Sequence, residues 1–185
     1  VHTTRSHGPA SVRNKRAPLV GDVLLQNNNG EFMDVSEEAG IYGGINGYGL
    51  GLAIADFNQD GYPDIYVGND FHEDDYYYLN NGDGTFTESL KKYFGHTSRF
   101  SMGNDVADIN NDGHLDLLTS EIVHWDVGSS SDPSEILVNT GESPPRFERP
   151  GNEATGLTRE DASSTWDHGD MTGAALDFDN DGLLD

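Results

Sequence analysis

The 185-residue chain has no cysteine, which removes disulfide staples and disfavours zinc or copper held by soft ligands. Basic residues are scarce. Ten Lys and Arg face 33 Asp and Glu, for a formal net charge of -23, which argues against a nucleic-acid partner and for a protein that carries cations. No apolar run approaches the ~18 residues of a membrane span, and the first residues lack the apolar centre of a signal peptide. The N-x-[ST] sequon, the HExxH motif, the nucleophile elbow and the phosphate-binding glycine loop are also missing.

What the chain does have is one aspartate-rich string written three times: DFNQDGYPD from Asp56, DINNDGHLD from Asp108 and DFDNDGLLD from Asp177. Each reads D-x-[DN]-x-D-G-x-x-D. Side-chain oxygens are therefore offered by Asp56, Asn58, Asp60 and Asp64, by Asp108, Asn110, Asp112 and Asp116, and by Asp177, Asp179, Asp181 and Asp185. Tyr62, His114 and Leu183 at position seven can add backbone carbonyls, and Gly61, Gly113 and Gly182 at position six allow the sharp turn. Two carboxylates ~4 Å apart repel by about 4 kcal/mol at an effective dielectric near 20, so an empty loop should open and a divalent cation should close it.

Hard oxygen ligands point to calcium, since magnesium demands near-ideal octahedral geometry and retains waters. An EF-hand needs Glu at position twelve, where this chain has Val67 and Thr119. The third loop, with four aspartates, is expected to bind the ion most tightly.

Around the loops the pattern is that of strands. GLGLAIA before the first loop alternates Leu50, Leu52 and Ile54 with Gly51, Ala53 and Ala55, and IYVG follows it. Tyr76–Ser89 reads as a second hairpin around an Asn, Gly and Asp cluster. The motif N-x-x-G-x-F occurs from Asn27 and again from Asn81, with a looser copy ending at Phe147. A four-strand unit repeating every ~50 to 60 residues predicts an all-β fold of propeller blades, four antiparallel strands each, with calcium-binding hairpin loops. The expected division is a basic segment at 1–20, a partial blade at 21–47, a blade with the first loop at 48–100, a blade with the second loop and inserts at 101–165, and the start of a further blade at 166–185. DVGSSSDPS from Asp126 to Ser134, the GESPP stretch and the region around Asn152–Ser164 read as surface inserts.

The strings GYGLGLAIADFNQDGYPDIYVGNDF and SMGNDVADINNDGHLDLL, with NNGDGTF between them, resemble the FG-GAP/VCBS repeats of integrin α-subunit propellers and of many secreted bacterial proteins, closest to the cartilage acidic protein type. The resemblance covers about residues 21 to 185. It implies calcium ligands at the matching aspartates, an extracellular setting, no particular chemistry, and a propeller of about seven blades. The chain is expected to be a piece of such a polypeptide, its open edges covered by further residues of the same chain or by a second copy. One departure is Thr172, which stands where the earlier repeats have Gly51 and Gly103, with Gly173 one place later.

The reading that results is an extracellular, calcium-binding, non-catalytic module for adhesion, recognition or assembly, with a protein or glycan as possible ligand. Two rivals stay open: a propeller-type polysaccharide lyase or other carbohydrate-active enzyme, and a filament or surface-layer subunit. His72, His96, His124 and His168 fall in or near inter-strand loops, where an enzyme could use them, but scattered loop histidines are usually structural or solvent-exposed. Glu73, Asp74 and Asp75 read as a solvated acidic turn, and Tyr76–Tyr78 as packing on both faces of a strand. The first twenty residues, with Arg5, Arg13, Lys15 and Arg16 and no acid, read as a connecting segment or as a tail docked on an acidic face.

Overall fold

The computed structural model describes residues 12, 15–17, 19–70, 73–96, 98–122, 133–157 and 171–184. Strands β1 (Leu25–Asn28) and β2 (Glu31–Asp34) form an antiparallel hairpin. Its turn, Asn29–Gly30, has φ of 54° and 98°, the pair of positive values that a tight primed turn requires. All eight strand residues are exposed.

Two four-stranded sheets follow. The first runs β3 (Gly49–Ala55), β4 (Asp64–Asn69), β5 (Tyr76–Asn80) and β6 (Phe86–Glu88). The second runs β7 (Ser101–Ala107), β8 (Asp116–Glu121), β9 (Glu135–Asn139) and β10 (Phe147–Glu148). Both are antiparallel with sequence neighbours adjacent, the up-and-down order of a propeller blade.

The alternation in β3 sends its smaller side inward. Gly51 and Ala53 are buried, whereas Leu50, Leu52 and Ile54 are each more than half exposed. The cause is the close approach of the second sheet: a Cβ on Gly51 would stand 3.1 Å from the backbone nitrogen of Asn104, and one on Gly68 would collide with Ser101 Oγ. Small residues on one blade thus admit the edge of the next.

Between the sheets lies an aromatic core of Phe57, Tyr77, Tyr93, Phe94 and Phe147 with Leu117 and Leu137. Phe94 and Phe147 stack at 4.2 Å, and Phe57 meets Phe147 edge-on at 5.5 Å. On the opposite face, Tyr76 and Tyr78 join Ala39, Ile41 and Val67. All three tyrosines of the run are buried, which is the packing role expected of them. Two four-residue helices, α1 (Leu90–Tyr93) and α2 (Asn152–Thr155), are additions to the expected all-strand pattern. One turn is too short to leave a period in the sequence.

Residues 171–184 carry no strand, yet their first part, 171–175, lies along the second blade. Gly103 sits against the Thr172 backbone, Gly173 against Leu118, and the Ala175 N–H donates to Asp105 Oδ2 at 2.9 Å. Gly173 therefore supplies a close approach one place later than its counterparts. In the basic segment, Arg16 donates to the carbonyls of Ile41 and Asp22 and pairs with Asp34 at 3.7 Å. Of the insert read at Asp126–Ser134, only Pro133 and Ser134 are among the described residues. Among the described residues, no helix is long and apolar enough to cross a membrane.

Candidate metal centre

The first two aspartate strings are the hairpin loops β3–β4 and β7–β8, and all three are built on one scaffold. The position-one carboxylate receives the N–H groups of positions five and six: Asp60 and Gly61 on Asp56 at 3.0 and 2.8 Å, Asp112 and Gly113 on Asp108 at 3.0 and 2.9 Å, and Asp181 and Gly182 on Asp177, both at 3.0 Å. The position-three oxygen accepts the same position-five N–H, and the position-five carboxylate accepts from Tyr62, His114 or Leu183, each at 2.8 Å. These bonds turn the side chains of positions one, three and five inward. In the third loop, carboxylate oxygens of Asp177, Asp179 and Asp181 all lie within 4.8 Å of one another.

Two positive-φ residues per loop make this winding possible. Position six is glycine at 91°, 91° and 90°, as the sequence indicates. Position four is also left-handed, with Gln59 at 57°, Asn111 at 58° and Asn180 at 61°. The amide residues there are the overlooked signal, since asparagine tolerates that region better than most side chains.

Position nine is different in kind. Asp64 and Asp116 open β4 and β8 and are fully buried. Asp64 accepts from Asn80 N at 2.8 Å and from the Tyr77 hydroxyl at 2.8 Å; Asp116 accepts from Asn139 N at 2.9 Å and Ile109 N at 3.0 Å. Burial raises the pKa of both, opposed by these hydrogen bonds and reinforced by Asp60 and Asp56 in the first loop and Asp112 in the second. Asp112 moves the other way, its carboxylate favoured by the His114 N–H. The position-nine groups are thus within electrostatic reach of their loops. Asp185, their counterpart in the third, lies outside the described residues.

Several supporting residues escaped the sequence reading. Asn80 and Asn139 buttress the loops from the neighbouring strand: each takes its hairpin glycine N–H, from Gly82 at 2.9 Å or Gly141 at 3.1 Å. Each also donates to the position-eight carbonyl, Pro63 O at 2.9 Å or Leu115 O at 3.3 Å. Asn139 further reaches Phe57 O in the first blade at 2.9 Å. The position-seven side chains cover the same glycines, Tyr62 over Gly82 and His114 over Gly141. The recurring N-x-G of Asn80–Gly82 and Asn139–Gly141 was the available signal.

The opposite ends of the sheets hold a second set of acids. Asp75 is buried rather than part of a solvated turn, as is Glu73, which corrects that expectation. Asp75 accepts from Asn69 N at 2.7 Å and from the Tyr66 hydroxyl. Burial pushes its pKa up to about 7, against the pull of those two bonds. Glu121 accepts from Phe100 N at 2.9 Å, and Glu135 pairs with Arg149. Each is matched to a donor inside the fold. Of the histidines considered for catalysis, His96 is exposed, and His72, His124 and His168 lie outside the described residues.

The loops therefore fit a hard cation. Their inward groups are carboxylate and amide oxygens, and among the described residues no Lys or Arg is paired with a loop carboxylate.

Successive four-stranded antiparallel sheets, packed face to face through small residues and each turned by such a loop, make this a repeat protein of the propeller-blade class. Residues 14–67 and 56–119, more than half of the chain, match the FG-GAP-like repeat family, and the chain belongs to it. It is similar to cartilage acidic protein 1 of Xenopus tropicalis, 31% identical over 171 residues that cover 88% of this chain and 24% of that protein. The chain spans about a quarter of the length of that relative.

Proposed function

We propose that the loops bind calcium and that the chain is part of an extracellular, non-catalytic module for recognition, adhesion or assembly. The observation that carries this reading is the threefold scaffold that turns oxygens inward, with no Lys or Arg among the described residues paired to its carboxylates. In the first site Asp56, Asn58, Asp60 and Asp64 with the Tyr62 carbonyl would hold the ion, and in the second Asp108, Asn110, Asp112 and Asp116 with the His114 carbonyl. Asp177, Asp179, Asp181 and Asp185 with the Leu183 carbonyl would form the third. Calcium supplies charge neutralisation, and the chain's residues supply the wrapped geometry.

Sites of the extracellular type, with dissociation constants of about 0.1 to 1 mM, fill outside the cell and stay largely empty inside it. The similarity to cartilage acidic protein 1 supports the extracellular setting. The exposed Leu50, Leu52 and Ile54 face supports coverage by further residues of the same polypeptide, as Asn104 covers Gly51 in the next blade. Isothermal titration with calcium tests the reading: binding at millimolar ion or tighter is expected. No heat of binding, with a melting temperature indifferent to chelator, overturns it.

A further inference from the structure

Gln59 occupies position four of the first loop, between the candidate ligands Asn58 and Asp60, yet its side chain belongs to the second loop as much as to the first. Its Nε2 donates to Gly113 O at 2.6 Å and lies 3.3 Å from His114 Nδ1. The peptide unit whose carbonyl accepts that bond is the same one whose N–H, on His114, donates to Asp112 Oδ1 at 2.8 Å. One rigid peptide plane therefore stands between Gln59 and a candidate ligand of the neighbouring site.

Resting on the calcium reading of the loops, we propose that Gln59 couples the first and second sites, so that an ion in one raises the affinity of the other. An ion in the first loop fixes the backbone of positions three to five, and with it the left-handed Gln59 at φ 57°. A fixed Gln59 amide orients the Gly113–His114 peptide, keeps its N–H on Asp112, and polarises that N–H through its own carbonyl bond. Ordering the second loop holds Gln59 in return, because linkage between binding sites is reciprocal. A single hydrogen bond of this kind corresponds to a coupling of about three- to tenfold in affinity. Asn111 stands at the same place in the second loop with φ 58°, is one methylene shorter, and makes no matching bond to the third loop among the described residues. The coupling is thus specific to the first pair.

Gln59→Asn is the clean variant, because Asn111 and Asn180 show that asparagine adopts this backbone conformation in the sister loops. Calcium chloride titrations of the intact polypeptide, followed by NMR at the Gly61 and Gly113 amides, read the two sites separately. Asp112→Ala is expected to weaken the site reported by Gly61 about three- to tenfold when Gln59 is present, and to leave it unchanged in the Gln59→Asn background. Without any ligand removed, Gln59→Asn alone should abolish the shared steepness of the two curves. Equal weakening in both backgrounds, or curves equally steep with Gln and with Asn, overturns the coupling while leaving calcium binding intact. No calcium response at either glycine overturns both.

Discussion

The two ends of the same sheets both gather carboxylates, and they use them in opposite ways. At the β4–β5 and β8–β9 end, Asp75, Glu121 and Glu135 are buried, and each meets a donor of its own: Tyr66 and Asn69, Phe100, and Arg149. At the β3–β4 and β7–β8 end, Asp56 and Asp108 are held by N–H groups of their own loops, which serve to aim them. One end is closed electrostatically by the fold itself. The other is left with surplus negative charge that an ion would close. Acidic composition alone therefore says little about a site; what separates the buried acids, Asp64 and Asp116 among them, from positions one and five of the loops is a donor from outside the loop.

Calcium removal should break the comparison most visibly. With ion at roughly twenty times its dissociation constant, each proposed site would contribute about 1.8 kcal/mol, so stripping the first two should lower the melting temperature by about 10 °C. Variants of the buried-acid end should melt with the same displacement in calcium and in chelator. A calorimetric scan with and without chelator reads both.

Asn139→Ala comes next, at about 2 kcal/mol, because it strips partners from Gly141 N, Leu115 O and Phe57 O in a buried setting. Asn80→Ala lacks the bond to the preceding blade and should cost about 1 kcal/mol. Urea denaturation of the pair ranks them; equal costs would mean that the bond to Phe57 is idle.

Asp60→Ala should change sign with the solvent. In calcium it should destabilise by about 1.8 kcal/mol through loss of the first site, whereas in chelator it should be neutral or slightly stabilising, since it relieves repulsion from Asp56. Loss of the same stability under both conditions would show Asp60 to be structural rather than a ligand. Gly61→Val should mimic it in calcium, because a β-branched residue resists φ of 91°.

The smallest effect at neutral pH belongs to Asp75, whose folded pKa, pushed up to about 7 by burial, lies above the ordinary aspartate value of 3.8. Between those values the folded state holds a proton that the unfolded state has released. Stability should therefore fall as pH rises from about 4 to 7 and then level off. Asp75→Asn should remove one proton's worth of that slope, measured by denaturant midpoints across the range in chelator. An unchanged slope would show that Asp75 is ionised in the fold.

Much of this was legible in order along the chain. The spacing of oxygen ligands, the glycine at position six, and the period-two flanks are local properties, and local patterns survive in a one-dimensional string. From them followed the blade architecture and the family. Other features depend on residues far apart in sequence. Which side of β3 is buried depends on the next blade pressing against Gly51, and nothing within GLGLAIA encodes that neighbour. Asp75 reads as part of an acidic turn until Tyr66 and the end of β4 enclose it. Asn80 and Asn139 read as turn formers, and Gln59 as filler between ligands, until strand pairing brings Asp64 and Asp116, and blade packing brings Gly113, to them. By itself the sequence determined the loops and the repeat, because both rest on spacing between near neighbours. Only the tertiary structure decided which carboxylates are spoken for and which remain open, because burial and donor pairing are set by chain segments that meet only when the blades pack.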